Sequence, residues 1–287
     1  MDMRKTGWIV CLLSLLFLGL GFAWAQAGEQ LWKQTGEQAG KQAGKQAGEQ
    51  AKGPVGENYT IEVEGRMWNV KLDSTVKIVE NGIGTDVSLV NDLGFEERKN
   101  SFEGRLQIKF ARKHKINLEY LPLKWDADQV ITRTIVVNGE TYTAGSRVQS
   151  SLDLNLFRGG YEYDFLAGKY GFLGATLDVL VANANMHLNA PALGIDQKED
   201  RAASIPMIGL AGRVYPIRWV NLTARASGLP AGDYGYVFDG EASLNINPIE
   251  YLGISGGYRY FIINVKYNDN YLDYRLDGPF VGLTLRF

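Results

Sequence analysis

The amino-acid sequence predicts an all-β fold, a transmembrane antiparallel up-and-down β-barrel of ten strands behind a disordered N-terminal extension. Three observations predict it. From Tyr59 onward, apolar and polar residues alternate with period two in one segment after another. The apolar faces end in aromatic residues, as interfacial girdles require. Short and long connections alternate along the chain, as the turns and loops of a membrane barrel do.

Residues 1–25 read as a secretory signal peptide. Arg4 and Lys5 form a basic start, Trp8 to Phe22 an apolar run, and Ala23-Trp24-Ala25 a cleavage site before Gln26. The run is short for the ~20 residues of a spanning helix. The single cysteine, Cys11, lies in this segment with no lipobox before it. The mature chain is therefore expected to lack a lipid anchor, a disulfide and thiolate chemistry.

Residues 26–58 are of low complexity. Gly36-Glu37-Gln38-Ala39 recurs as Gly40-Lys41-Gln42-Ala43, Gly44-Lys45-Gln46-Ala47 and Gly48-Glu49-Gln50-Ala51. Acidic and basic residues balance, and beyond Leu31, Trp32 and Val55 there is almost nothing to bury. A helix would carry a glycine every fourth residue, at a cost of ~1 kcal/mol each relative to alanine. A flexible periplasmic tether is expected, with an ordered helix or plug as the alternative.

Residues 59–287 form the expected barrel. Phe102, Gly104, Leu106, Ile108 and Phe110 alternate with Glu103, Arg105, Gln107 and Lys109. Val220, Leu222, Ala224 and Ala226 alternate with Asn221, Thr223, Arg225 and Ser227. The same period runs through 236–246 and 252–262. A soluble antiparallel sheet shows this pattern too, but the outward faces here end in Phe110, Tyr120, Tyr215, Trp219, Tyr251, Tyr258 and Tyr260.

Short connections fall at 112–115, 164–169, 216–219 and 248–250, and longer ones at 73–99, 126–146, 191–201, 229–232 and 268–270. The strands then run approximately 59–72, 101–111, 115–125, 146–163, 170–188, 203–215, 219–228, 234–247, 251–267 and 271–287. Eight strands is the alternative if one outer hairpin is misread. An even number places both chain ends on the periplasmic side. Val130 to Val137, Asn138-Gly139 and Thr141 to Val148 predict a hairpin beyond the membrane. The first loop, with Asn81-Gly82-Ile83-Gly84 and Asn91-Asp92-Leu93-Gly94-Phe95-Glu96-Glu97, lacks the spacing of a calcium loop and is expected to be solvated. Two apparent phase slips, at Gly159-Gly160 and at Gly278-Pro279, predict β-bulges.

The inward faces carry both signs. Glu103, Arg105, Glu119, Arg213, Arg225, Asp239, Glu241, Arg259 and Arg286 are expected to form a lumen charge network, with Lys109, Asp153, Asp273, Arg275 and Asp277 as further inward candidates. A barrel of ~8 strands is just filled by side chains, whereas wide channels need ~16–18. Ion pairs that seal the lumen are one reading, and a narrow, weakly selective pore is the other.

No zinc cluster, phosphate loop or dinucleotide fingerprint is visible, and no metal, cofactor or catalytic residue is expected. With a net charge of −2 and no basic stripe, nucleic-acid binding has no support. His114 lies in a predicted turn. His187 belongs to the row Asn183, Asn185, His187, Asn189, which reads as a hydrogen-bonded lumen ladder. No adjacent serine makes it a hydrolase motif, so catalysis at His187 is the third functional reading.

The chain ends on Gly278-Pro279-Phe280-Val281-Gly282-Leu283-Thr284-Leu285-Arg286-Phe287, with Val281, Leu283, Leu285 and Phe287 on one face. An alternating strand closing on Phe resembles the terminal strand of Gram-negative outer-membrane β-barrels. Residues 59–287 are similar to the small OmpA-like or OmpW-like barrels, at the level of the class. That resemblance implies an outer-membrane location, contact with outer-membrane lipid and lipopolysaccharide, and recognition of the C-terminal strand by the barrel-assembly machinery. It implies a structural or surface-interaction role first, and a small porin-like diffusion channel second.

Overall fold

The computed structural model describes residues 54–79 and 84–287. The expected signal peptide and most of the low-complexity stretch lie outside the described residues, as do Asn81, Gly82 and Ile83. The strands are β1 (Ile61–Lys77), β2 (Asp86–Ser88), β3 (Arg98–Phe110), β4 (His114–Val130), β5 (Ile135–Val137), β6 (Glu140–Tyr142) and β7 (Arg147–Gly168). They continue as β8 (Gly171–Ala190), β9 (Ile195–Ile217), β10 (Val220–Pro230), β11 (Gly235–Ile249), β12 (Leu252–Tyr267) and β13 (Asn270–Arg286).

Ten of these strands form the wall, in the order β13-β12-β11-β10-β9-β8-β7-β4-β3-β1, each antiparallel to its neighbour. β13 pairs back onto β1 from Glu62↔Arg286 to Lys77↔Tyr271, so the sheet closes. Closure removes the edge that an apolar terminal strand would otherwise expose. The wall matches the ten expected strands one for one. Short turns after β3, β7, β9 and β11 gather at one end with the first and last described residues. This is the turn end, and the opposite one is the loop end.

At the loop end the strands reach further than the alternation suggested. β9 starts at Ile195, so the expected loop 191–201 is a long β8–β9 hairpin with a short 3₁₀ turn at Pro191–Leu193. The β5–β6 hairpin turns at Asn138 and Gly139, both with positive φ (50° and 79°), as an Asn-Gly type I′ turn requires. The first loop is packed rather than solvated. Leu89, Leu93 and Phe95 are buried, and Arg133 pairs with the Asp92 carboxylate at 2.7 and 2.6 Å. Burial raises the Asp92 carboxyl, but the Arg133 side chain and the Ser88 N–H outweigh it and hold the group below its usual range.

The two expected bulges do not occur. The β7–β8 ladder runs without a shift through Gly159 and Gly160, and its one irregularity lies at Tyr163/Leu166. β13 keeps a single register with both neighbours across Gly278-Pro279. Side-chain parity is therefore continuous, and it is the surroundings that change. On β1, Glu62, Glu64 and Arg66 face in, followed by Trp68, Val70 and Leu72. Ile61, Val63 and Met67 face out, followed by Asn69, Lys71 and Asp73. β7 shows the same exchange: Asp164, Glu162 and Arg158 point in below Leu156, Leu154 and Leu152.

The wall is thus apolar outside and charged inside over its turn-end half. Over the loop-end half it is polar outside and apolar inside. A bilayer wets the first surface and water the second, so each half turns its fitting face outward. The loop-end interior is the hydrophobic core, where Trp68, Leu72, Leu121, Trp125, Phe261 and Leu276 are each no more than 1% exposed.

Candidate functional site

The charged interior is assembled from inward positions of all ten wall strands. Arg259 of β12 is its hub. Its Nη1 donates to Glu103 (2.8 Å), and its Nη2 to Glu119 (2.6 Å) and Asp239 (2.6 Å). Arg105 grips Glu241 with both terminal nitrogens, at 2.7 and 2.6 Å, and also pairs with Glu103. This two-pronged geometry is what a planar guanidinium offers and a lysine does not. Arg225 donates to Asp178 at 2.8 Å, Arg213 to Glu57 at 3.3 Å, and Arg286 to Glu62 at 2.5 Å and Asn247 at 2.9 Å.

All nine residues read from the sequence as a lumen network therefore lie in this interior. Glu103, Arg105, Glu119, Asp239, Glu241 and Arg259 form one connected cluster, whereas Arg225 contacts Asp178, and Arg213 and Arg286 both meet Glu62 nearer the turn end. The sequence reading missed several members. Glu64 and Arg66 pair at 2.9 Å, and Arg66 also reaches Glu241 at 3.0 Å. Arg158 meets Asp239. Lys115 is fully buried between Glu162 (2.7 Å) and Asp164 (2.9 Å), with its Nζ 3.2 Å from the Phe172 ring centre. Their signal was the alternation Glu62-x-Glu64-x-Arg66 and Arg158-x-x-x-Glu162-x-Asp164, the second obscured by the supposed slip at Gly159-Gly160.

Four expected inward residues face outward instead. Arg275 approaches Asp73 at 3.7 Å on the outer surface, Asp153 approaches Lys124 at 3.5 Å, Asp277 accepts from the Tyr258 hydroxyl, and Asp273 shares their parity. The continuous parity of β7 and β13 is the reason. Tyr215 errs the other way: it is buried, and its hydroxyl donates to Glu57 at 2.8 Å. Lys109 does point inward, 2.9 Å from Glu57.

The row Asn183, Asn185, His187, Asn189 lines the outer surface of β8 above the apolar belt and not the lumen. His187 Nε2 lies 2.5 Å from Asp196 Oδ1 of β9, and both groups are more than a third exposed. Across the wall from this pair stands the packed apolar core. Of the terminal set, Val281, Leu283, Leu285 and Phe287 all face outward and are 56, 51, 45 and 69% exposed. The paired charges leave a cavity of about 80 Å³ inside the layer, room for a few water molecules.

A closed ten-strand antiparallel wall with an apolar outer belt, a charged interior and an outward-facing terminal strand has the fold of an outer-membrane β-barrel. A solved structure agrees in fold. Outer membrane protease OmpT from Escherichia coli superposes with a TM-score of 0.58 over 81% of this chain and 98% of its own, at 8% identity. The translocator domain of autotransporter NalP from Neisseria meningitidis aligns over 90% of this chain and 98% of its own, at 11% identity and a TM-score of 0.43. The toluene transporter TodX of Pseudomonas putida aligns over 79% and 90%, at 7% identity and a TM-score of 0.37. No protein-family model and no curated protein matches the sequence.

Proposed function

We propose that the chain is an integral outer-membrane β-barrel with a structural or surface-interaction role, closed to solute flow, with both chain ends periplasmic and the loop end outside. One observation carries this reading: the interior is filled at two successive levels. Bidentate ion pairs occupy the belt level around a cavity of about 80 Å³, and a dry core of Trp68, Trp125, Phe261 and their neighbours occupies the level above. An ion would have to break the first and could not be solvated in the second.

In this reading the working surface is the loop end. There the β5–β6 hairpin is braced to the β8–β9 hairpin by Tyr142 to Gln197 (3.0 Å) and Asn138 to Glu199 (2.8 Å), and to the first loop by Thr85 N–H to the Val136 carbonyl (3.2 Å). The apolar belt contacts outer-membrane lipid and lipopolysaccharide, and the outward set Val281, Leu283, Leu285 and Phe287 is offered to the barrel-assembly machinery. No catalytic step is part of the proposal.

Conductance across a planar bilayer tests it. The folded protein is expected to be silent at high load in molar salt. Steady, salt-dependent steps that change in Arg259→Ala or Asp239→Ala would establish the narrow diffusion channel instead.

A further inference from the structure

The residues ahead of β1 cross the mouth of the barrel. Thr60 N–H donates to the Phe287 carbonyl on the closing side of the wall (2.7 Å), whereas Val55 N–H donates to the Arg218 carbonyl in the β9–β10 turn (2.7 Å). Gly56 N–H reaches the Glu250 carboxylate after β11 at 2.9 Å. β1 and the β9–β10 turn are on opposite sides of the ten-strand ring. Residues 54–60 thus form a strap over the turn end, and the expected tether boundary at 58 falls inside it.

The strap passes close to the wall. Gly56 has a φ of +82°, and a Cβ there would lie 2.7 Å from Arg286 Nη1, so a side chain would be strained and would displace the guanidinium. Tyr59 is buried beneath it, with Lys109 Nζ 5.1 Å and the Arg286 guanidinium 6.0 Å from its ring centre. At the centre of the span the Glu57 carboxylate enters the mouth. It receives Lys109 Nζ at 2.9 Å, the Tyr215 hydroxyl at 2.8 Å and Arg213 Nη1 at 3.3 Å.

These three donors belong to the wall and not to the strap. Lys109 stands at the end of β3, and Arg213 and Tyr215 stand on β9, four strands away around the ring. Two cations and a hydroxyl converge on one point, and Arg213 and Tyr215 are more than nine-tenths buried. The neighbouring Glu62 takes up part of the Arg213 charge at 3.7 Å, which leaves Lys109, Tyr215 and one Arg213 nitrogen for Glu57.

We propose that Lys109, Arg213 and Tyr215 form a carboxylate-binding site in the barrel mouth, and that Glu57 is its tethered ligand, latching the strap closed. The donor set suits a single carboxylate: two charge-assisted hydrogen bonds share its oxygens, and the phenol completes the shell. Burial would raise the Glu57 carboxyl, but the Arg213 and Lys109 charges outweigh it and bring the group down to about 2. A site of this kind accepts a free carboxylate of small size once the tethered one is removed.

Chemical rescue tests the proposal. In the full mature chain, Glu57→Ala empties the site without touching a wall strand. Formate at about twice its dissociation constant is expected to raise the unfolding temperature of this variant by about 2 °C over chloride of equal ionic strength. Wild type should show no such difference, because Glu57 already fills the site. Adding Lys109→Met to Glu57→Ala should abolish the rescue. Equal effects of formate and chloride, or an equal formate effect on wild type, would overturn the site. A second readout leaves Glu57 in place: a glutamyl endopeptidase should cut after Glu57 several-fold faster in Tyr215→Phe than in wild type. Unchanged cleavage would show that the strap is held by something else.

Discussion

The Arg259 guanidinium lies 5.1 Å from the centre of the Trp68 ring, and this contact joins the two halves of the barrel interior. Arg259 belongs to the charged layer and Trp68 to the apolar core. Arg66 repeats the arrangement over the Phe280 ring at 4.3 Å. A guanidinium is weakly hydrated and can lie on an aromatic face, so it borders a dry core at a lower desolvation cost than an ammonium would. Trp68 also donates from its indole nitrogen to the Gly278 carbonyl at 3.0 Å, which fixes the ring across the β13–β1 closure.

Removing Arg259 should cost far more than removing an exposed ion pair. Glu103, Glu119 and Asp239 would remain buried with much of their counter-charge gone. Breaking a buried pair in this way costs about 3–5 kcal/mol, because an uncompensated charge is left behind. Arg259→Met is therefore expected to lower the unfolding free energy by that amount in urea titrations of the barrel in detergent. The exposed pair Arg147–Asp128, at 2.7 Å, provides the contrast, and Arg147→Met is expected to leave stability nearly unchanged. Similar effects at the two positions would mean that the interior is solvated.

The wall and the charge network were legible because strands have a period of two and ion pairs need both signs on one face. What was not legible is the level at which the solvent changes. Asp153 read as inward because a charged residue on a barrel strand is taken to point to the lumen, which would set its neighbours Leu152 and Leu154 outward. They point inward because that part of the wall stands in water and packs a core of its own. The same shift hid Arg158 and Glu162 and misplaced Arg275 and Asp277. Parity alone carries no information on which medium lies outside. That depends on the height of each residue, which register with neighbouring strands determines. Glu57 was hidden for another reason: it lies next to a repetitive stretch, and its partners come from strands distant in sequence.

Gly278 should be intolerant of any side chain. Its φ is +157°, and a Cβ would stand 1.9 Å from the Asn69 carbonyl oxygen of β1. The β13–β1 ladder would have to part at the level where Trp68 anchors it. Gly278→Ala is expected to cost about 2–3 kcal/mol, at the upper end for a single substitution. Gly65→Ala is the control, since a Cβ there meets no atom within 4 Å. Thermal unfolding followed by the loss of folded-form gel mobility compares the two. Equal loss at both positions would remove the argument from close approach.

The latch has a defined pH window. Glu57 titrates near 2 in the folded protein, against about 4.3 for an unperturbed glutamate. Its folded value is depressed, so its contribution is complete above the unfolded value and is lost as pH falls through the folded one. Lys109, Arg213 and Tyr215 face it from the wall and Tyr59 and Glu62 lie beside it. The stability difference between wild type and Glu57→Gln is expected to be on the order of 2 kcal/mol and flat above about pH 4.5. It should shrink steadily towards pH 2. A difference that stays constant down to pH 2 would mean that the carboxylate charge is not what the wall residues hold.

Phe287 can be separated into two parts, its ring and its backbone. The backbone closes the barrel: its carbonyl accepts from Thr60 N–H (2.7 Å) and Ile61 N–H (3.0 Å), and its own N–H donates to Ile61 (2.8 Å). The ring faces outward and is 69% exposed at the rim of the apolar belt. Phe287→Ala keeps every closing hydrogen bond, whereas deletion of Phe287 removes them with the ring. If the ring is the assembly signal, both variants should insert into the outer membrane several-fold less efficiently than wild type. The molecules of Phe287→Ala that do assemble should unfold within about 1 kcal/mol of wild type, since an exposed side chain contributes little to the fold. The deletion should be less stable as well as less abundant. Normal insertion of Phe287→Ala would assign the terminal residue to closure alone and leave recognition to Val281, Leu283 and Leu285.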